Sequence, residues 1–135
     1  MSTARKNALQ LVHYLRFKVN FNDAASGVAT LKQWLPKGAI LVGTDVQVAQ
    51  GFNAATTNVL SVGTVGDTAT NIVNALSVTA AGLTLNAPPT GVNLQPLAAD
   101  KQVQVTYTQT GAAATAGAAY VVIKYIPDND LNFGQ

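Results

Sequence analysis

The 135-residue chain contains no cysteine, no glutamate and a single histidine, and only 10% of its residues are charged, against about 25% in an ordinary globular domain. Without cysteine there is no disulfide framework, no thiolate zinc site and no thiol nucleophile. Without glutamate the acids reduce to Asp23, Asp45, Asp67, Asp100, Asp128 and Asp130, and between Val46 and Ala99 the one charged side chain is Asp67. General acid–base chemistry needs positioned groups of tuned pKa, so this shortage excludes most enzyme classes. The lone His13 has no second imidazole for a metal or a relay. A hydrolase triad would have to combine it with an aspartate and Ser2, Ser26, Ser61 or Ser77, none of which stands in a G-x-S-x-G setting. His13 reads instead as a solvent-facing residue at the mouth of a first strand. Long apolar runs are missing too: Arg16 and Lys18 interrupt the first nineteen residues, leaving no core for a signal peptide or a membrane span. The expectation is a soluble protein made in a cytoplasm, without membrane contact and without a cofactor.

In place of charge stand Ala, Thr, Asn, Gln and Gly; hydrophobic residues reach 48% with only 7% aromatic. The length suits one domain with a real core. Net charge is +2, and six of the eight basic residues (Arg5, Lys6, Arg16, Lys18, Lys32 and Lys37) lie in the first 37 positions. A weakly basic first quarter fits an acidic protein surface and is too sparse for nucleic acid, which takes several phosphate contacts backed by base-reading groups.

The clearest period lies in residues 13–22, where Leu15, Phe17, Val19 and Phe21 alternate with Arg16, Lys18, Asn20 and Asn22. That is a strand with one face in the core and one in water. Residues 28–35 form a second strand with imperfect alternation at Trp34-Leu35, ended by the Pro36-Lys37-Gly38 turn. A third strand over 39–52 puts Ile40, Val42, Thr44, Val46 and Val48 on one face and Leu41, Gly43, Asp45, Gln47 and Ala49 on the other. It is long enough to predict a bend or bulge near Gly43. A fourth strand follows at 59–64. Residues 67–76 fit either a single helical turn capped by Asp67 or an irregular crossing. Short strands at 76–80 and 83–86, a Pro88-Pro89-Thr90-Gly91 break, a clean strand at 102–108 (Val103, Val105 and Tyr107 on one side) and a final strand at 120–126 complete the pattern. The small residues 110–119 read as a hairpin connection between the last two strands.

Eight or so strands with no convincing amphipathic helix predict an all-β, jelly-roll-like antiparallel sandwich. Its span is 13–127, after a basic arm at 1–12 and before a short tail at 128–135. The outer faces carry Gln47, Gln50, Gln102, Gln104, Thr106 and Thr108 where Lys and Glu are usual. Neutral polar faces cost little to desolvate against a partner, which predicts a surface covered by copies of itself or by a larger assembly. Other constellations are weak. Asp128-Asn129-Asp130 mimics half of an EF-hand loop but lacks its glycine and glutamate. The glycines at 63, 66, 111 and 117 have no following lysine to cradle a phosphate. Trp34, Tyr14, Tyr107, Tyr120 and Tyr125 could make a sugar-stacking platform, but with strand spacing and no matching acid or amide cluster, core or interface packing is the simpler role.

The run Leu35-Pro36-Lys37-Gly38-Ala39-Ile40-Leu41, then Val46-Gln47-Val48 leading to Phe52-Asn53, then Thr56-Thr57-Asn58-Val59-Leu60-Ser61-Val62-Gly63-Thr64, resembles a family of small capsid decoration, or cement, proteins of tailed bacteriophages. So does the ending Val105-Thr106-Tyr107-Thr108-Gln109-Thr110-Gly111 with Ala114-Thr115-Ala116-Gly117-Ala118-Ala119 before a closing strand. The blocks cover residues 17–126. The resemblance implies a jelly-roll module on the outer surface of the virion head that clamps neighbouring major capsid proteins. It also implies a homo-oligomer, a trimer in preference to a dimer. On that reading the contact residues are Arg5, Lys6, Arg16, Lys18, Trp34 and Lys37. The alternative from another class is a receptor- or carbohydrate-binding sandwich of a tail or fibre.

Overall fold

A computed structural model describes residues 12–128. The described residues form eight strands: β1 (His13–Asn20), β2 (Ala29–Leu35), β3 (Ile40–Gln50), β4 (Thr57–Thr64), β5 (Val73–Ser77), β6 (Gly82–Ala87), β7 (Lys101–Thr110) and β8 (Ala118–Ile126). Among the described residues one 3-10 turn, Gly91–Leu94, follows the proline pair. One sheet, A, has the order β1-β8-β3-β6 and the other, B, the order β2-β7-β4-β5. All pairings are antiparallel. This interleaving, in which the chain changes sheet at every connection except β4 to β5, is the jelly roll. The basic arm and the tail fall outside the described residues, apart from their junctions at Val12 and Asp128.

Where one strand face meets the core and the other meets water, a local period of two is enough to set orientation. Phe17 and Val19 of β1, Val103, Val105 and Tyr107 of β7, and Val121, Ile123 and Tyr125 of β8 all point inward as their alternation requires. They meet Leu60 and Val62 of β4 and the fully buried Phe52 and Ile72 from the connections. The ring of Phe52 packs 4.7 Å from that of Tyr107.

Three expectations are corrected. The bulge near Gly43 is present, with the β3–β8 register slipping between Leu41 and Gly43. It reverses the parity of the strand: Leu41 is buried while Ile40 and Val42 face solvent, and only beyond it do Thr44, Val46 and Val48 turn inward. Gly43 has φ +155°, and a Cβ there would lie 3.2 Å from Asn86 Cα, so the bulge needs glycine both for its backbone and for the strand passing over it. Of the two readings open for residues 67–76 the irregular crossing holds over 67–72, and the strand expected at 76–80 is displaced: β5 begins at Val73 and ends at Ser77. The 111–117 segment is not a hairpin, because β7 and β8 belong to different sheets. It crosses the end of the sandwich over Phe52, held by Asn53 Oδ1, which accepts from the N–H groups of Thr115 (2.8 Å) and Ala116 (3.0 Å). Small residues are needed on that path: a Cβ at Gly117 would sit 2.5 Å from the Phe52 ring.

Candidate interaction surface

The sequence-selected contact residues lie on different parts of the sandwich. Arg5 and Lys6 lie outside the described residues. Arg16 and Lys18 project from the outer face of β1, their cationic groups 5.2 and 5.8 Å from the ring centroid of Tyr120 on β8. Trp34 is more than half exposed on β2, in the other sheet. Lys37 lies in the β2–β3 turn, where its backbone N–H donates to Asp100 Oδ1 at 2.7 Å. What connects β1 and β2 is a shared edge. Lys32 Nζ donates to the carbonyl of Lys18 (3.1 Å) and Gln33 Nε2 to that of Arg16 (2.8 Å), so two β2 side chains cap the outward carbonyls of β1. Lys32 also lies over the ring of Phe17. An open strand edge invites unwanted pairing, and these side chains close it. Arg16, Lys18, Lys32 and Trp34 therefore flank one border of the sandwich, and Lys37 does not join them. Among the described residues the ion pairs are Lys101–Asp67 (3.0 Å) and Lys124–Asp45 (3.3 Å), and neither involves a border cation.

The outer face of sheet A carries two cross-strand rows set by register. One runs Lys18, Tyr120, Gln47, Leu83, and the next Arg16, Val122, Asp45 and, on β6, Leu85. All of them but Lys18 line a shallow open groove of about 390 Å3, with Arg16 at its β1 side and leucines at its β6 side. Sequence reasoning placed a strand at Leu83–Asn86 but missed that its leucines face outward. The reason is that Thr84 pairs with the inward Val46, which sends Leu83 and Leu85 to solvent at 61% and 59% exposure. No local signal carries that choice. Below the two rows, Lys124 Nζ donates to Asn86 Oδ1 at 2.6 Å and pairs with Asp45, which also accepts the Asn86 N–H at 2.9 Å. Asn86 reaches this position with φ +54°, a conformation asparagine tolerates.

The outer face of sheet B is neutral, as its composition requires. Gln102 and Gln104 are half-buried, because Gln102 Nε2 donates to Lys32 O (3.0 Å) and Gln104 Nε2 to Thr64 O (3.3 Å). The first bond serves a carbonyl at the β2 bulge, between Leu31 and Trp34, where the ladder is interrupted. Amide donors already bonded within the sheet need no water, so covering this face strips little solvation. Exposed Leu31 and Trp34 border it.

The aromatic set does not gather into one platform. Tyr107 and Tyr125 are core residues, Trp34 faces out from sheet B, and Tyr14 and Tyr120 face out from sheet A. Burial pushes the Tyr107 phenol up from its usual pKa. His13 is exposed, its ring 5.9 Å from Tyr125. Among the described residues no three His or Asp side chains converge as a metal site would require, and Asp130 of the EF-hand-like run lies outside them. No helix among the described residues is long and apolar enough to cross a membrane.

No protein-family model matches the chain, and no curated protein matches it significantly. Its backbone is similar to chains of solved bacteriophage capsids. A chain of the capsid of Ralstonia phage GP4 superposes with a TM-score of 0.61 at 22% identity, covering 85% of this chain and 83% of that one. A chain of the cyanophage Pam1 capsid asymmetric unit gives 0.64 at 21% identity, with 85% and 84% covered. A chain of the acid-stable capsid of Helicobacter pylori bacteriophage KHP30 gives 0.64 at 18% identity, with 87% and 88% covered. The likeness extends over most of the chain and most of each of these chains.

Proposed function

We propose that this chain is a virion structural protein of a tailed bacteriophage, a decoration protein that binds the outside of the head and clamps neighbouring major capsid proteins. The observation that carries the reading is the likeness of nearly the whole chain to nearly the whole of three capsid chains. Surface chemistry agrees. One sheet face is neutral and internally hydrogen-bonded, while the β1–β2 border offers Arg16, Lys18 and Lys32 to an acidic surface, with exposed Trp34 beside them. Such a protein stabilises the head by binding its assembled form and not its dissociated subunits, the linkage by which any ligand stabilises the state it binds. The protein is non-enzymatic and homo-oligomeric, with a trimer favoured.

The test is saturable binding to expanded, undecorated heads, with a rise in their rupture temperature. Removing residues 1–6, with Arg5 and Lys6, should weaken binding, more so at low ionic strength where screening is least. Binding to cells or glycans with no affinity for heads would overturn the reading in favour of a fibre module.

A further inference from the structure

The groove on sheet A has an occupant that fits it within the sequence itself. Its floor is Leu83, Leu85 and Val122, and its β1 side is Arg16, with Lys18 next along β1 over the same Tyr120 ring. The segment after β8 reads Asp128-Asn129-Asp130-Leu131-Asn132-Phe133-Gly134-Gln135, which joins two apolar side chains at i and i+2 to an acid immediately before them. We propose that the outer face of sheet A seats this segment from a second copy of the chain, with Leu131 and Phe133 on the apolar floor and Asp130 toward Arg16 and Lys18. The proposal goes beyond the reading above by naming the contact that makes the oligomer.

A copy's own Leu131 and Phe133 are poorly placed to do this. Gly38 and Asp128 lie side by side, such that a Cβ on Gly38 would be 2.6 Å from that of Asp128. This contact continues the Ile40–Ile126 register for two residues beyond β8, and so leads away from the groove. From Asp128 back to Val122 is six residues of extended chain, ~20 Å at the usual strand rise. Leu131 is three residues past Asp128 and Phe133 five, so they reach at most ~11 and ~18 Å. Leu131 falls well short of the Val122 row, and Phe133 would meet it only if the chain doubled straight back along β8 fully extended, with no residues spent on the turn; a neighbour's tail can enter it directly. The resulting contact is heterologous, tail of one copy to face of the next, the kind that closes into a ring when the rotation allows.

The experiment is sedimentation equilibrium on the full chain, on a chain ending at Asp128, and on Leu85→Asp, Arg16→Asp and the Arg16→Asp/Asp130→Arg pair, with circular dichroism melts as a folding control. The full chain should be oligomeric. The truncation and Leu85→Asp should each raise the dissociation constant by about tenfold or more, the scale of losing a desolvated anchor. Arg16→Asp should weaken association, and adding Asp130→Arg should restore it, a rescue that a purely structural role for Arg16 does not produce. A synthetic peptide of residues 128–135 should compete with assembly. An oligomer unchanged by truncation, a truncation effect not matched by Leu85→Asp, or a monomeric full chain that does not bind the peptide would each overturn the proposal. Head binding is measured separately: a chain that still decorates heads while the truncation leaves its oligomer intact loses this inference and keeps the decoration reading, and the converse result does the reverse.

Discussion

Replacing Asn58 by alanine should be among the most damaging polar substitutions in the protein. The side chain is buried on β4 and acts as a backbone surrogate for the preceding loop. Its Oδ1 accepts from the Ala54 N–H at 3.0 Å and from the Tyr107 hydroxyl, and its Nδ2 donates to the Ala54 carbonyl at 3.0 Å. Asn58→Ala leaves all three groups without a partner, next to the buried Phe52 and Tyr107 rings. An unsatisfied buried group costs about 1–3 kcal/mol; taking the lower end for each of the three, because the loop relaxes, gives ~3 kcal/mol. Tyr107→Phe removes a single donor and leaves Oδ1 bonded to Ala54, so it should cost ~1 kcal/mol. The double variant is the decisive measurement. Once Asn58 is gone, the Tyr107 hydroxyl is an orphan, and removing it relieves strain. The double should therefore cost no more than Asn58→Ala alone, well short of the ~4 kcal/mol sum. Urea unfolding followed by far-ultraviolet circular dichroism, at one protein concentration, reads these differences as midpoint shifts at constant slope. Fluorescence is a poor substitute, since Trp34 is more than half exposed already. An Asn58→Ala cost below about 1 kcal/mol, or strict additivity in the double, would refute this account.

Further predictions rest on other contacts. Asp67 is held below the usual carboxylate pKa by its hydrogen bond from Lys101, then by that from the Thr64 hydroxyl. A depressed folded-state pKa contributes stability above the unfolded value, about 3.9 for aspartate, that is lost as pH falls through the folded one. Asp67→Asn should therefore lower Tm at pH 7 but shrink the further drop on acidification below pH ~4; equal acid sensitivity in both proteins would refute the role of this pair. Gln33→Leu, alone or with Lys32→Met, uncaps the outward carbonyls of Arg16 and Lys18. Stability should fall by only ~1 kcal/mol per bond, while light scattering should show faster aggregation; an unchanged aggregation rate would mean the edge needs no cap. Gly43→Val forces a β-branched residue to φ +155° with its Cβ 3.2 Å from Asn86 Cα, and should lower stability by at least ~2 kcal/mol, whereas Gly27→Ala, with open space around it and φ +76°, should cost less. Equal costs at the two positions would show that the contact with β6 contributes nothing.

The fold class was legible because period-two patterning is a local property. In β1, β7 and β8 the residue that faces the core is named by its neighbours two positions away, and Phe17, Val105 and Ile123 point where that rule sends them. The rule fails wherever a distant partner decides. At Gly43 a bulge was readable from strand length and glycine, yet its consequence, the exchange of Ile40 and Val42 for Leu41 in the core, was not read. In β5, Ala75 adopts φ +47°, which no propensity of alanine announces and which blurs the strand's start. The alanine-rich 111–117 segment looks alike whether it turns back on its own sheet or crosses to the other. Loop composition reports that the chain bends, and only long-range pairing reports where it goes.

The surface divides the same way. That Arg16 and Lys18 face water follows from the alternation around them, and the neutrality of sheet B follows from the glutamines and threonines of β7. That Trp34 belongs to the opposite sheet from Arg16, and that Leu83 and Leu85 are presented beside Tyr120 and Val122, depends on the order β1-β8-β3-β6 and on the pairing of Thr84 with Val46. An exposed pair of leucines on an edge strand is a feature that monomeric proteins avoid. β1 is protected by donors from Lys32 and Gln33, whereas β6 presents its leucines with 61% and 59% of their surface in water. One border of the sandwich is thus closed from within, while the face next to the other keeps its leucines in water. The proposed assembly role accounts for that asymmetry, since a module that satisfied all of its own surfaces would have nothing left with which to hold neighbours.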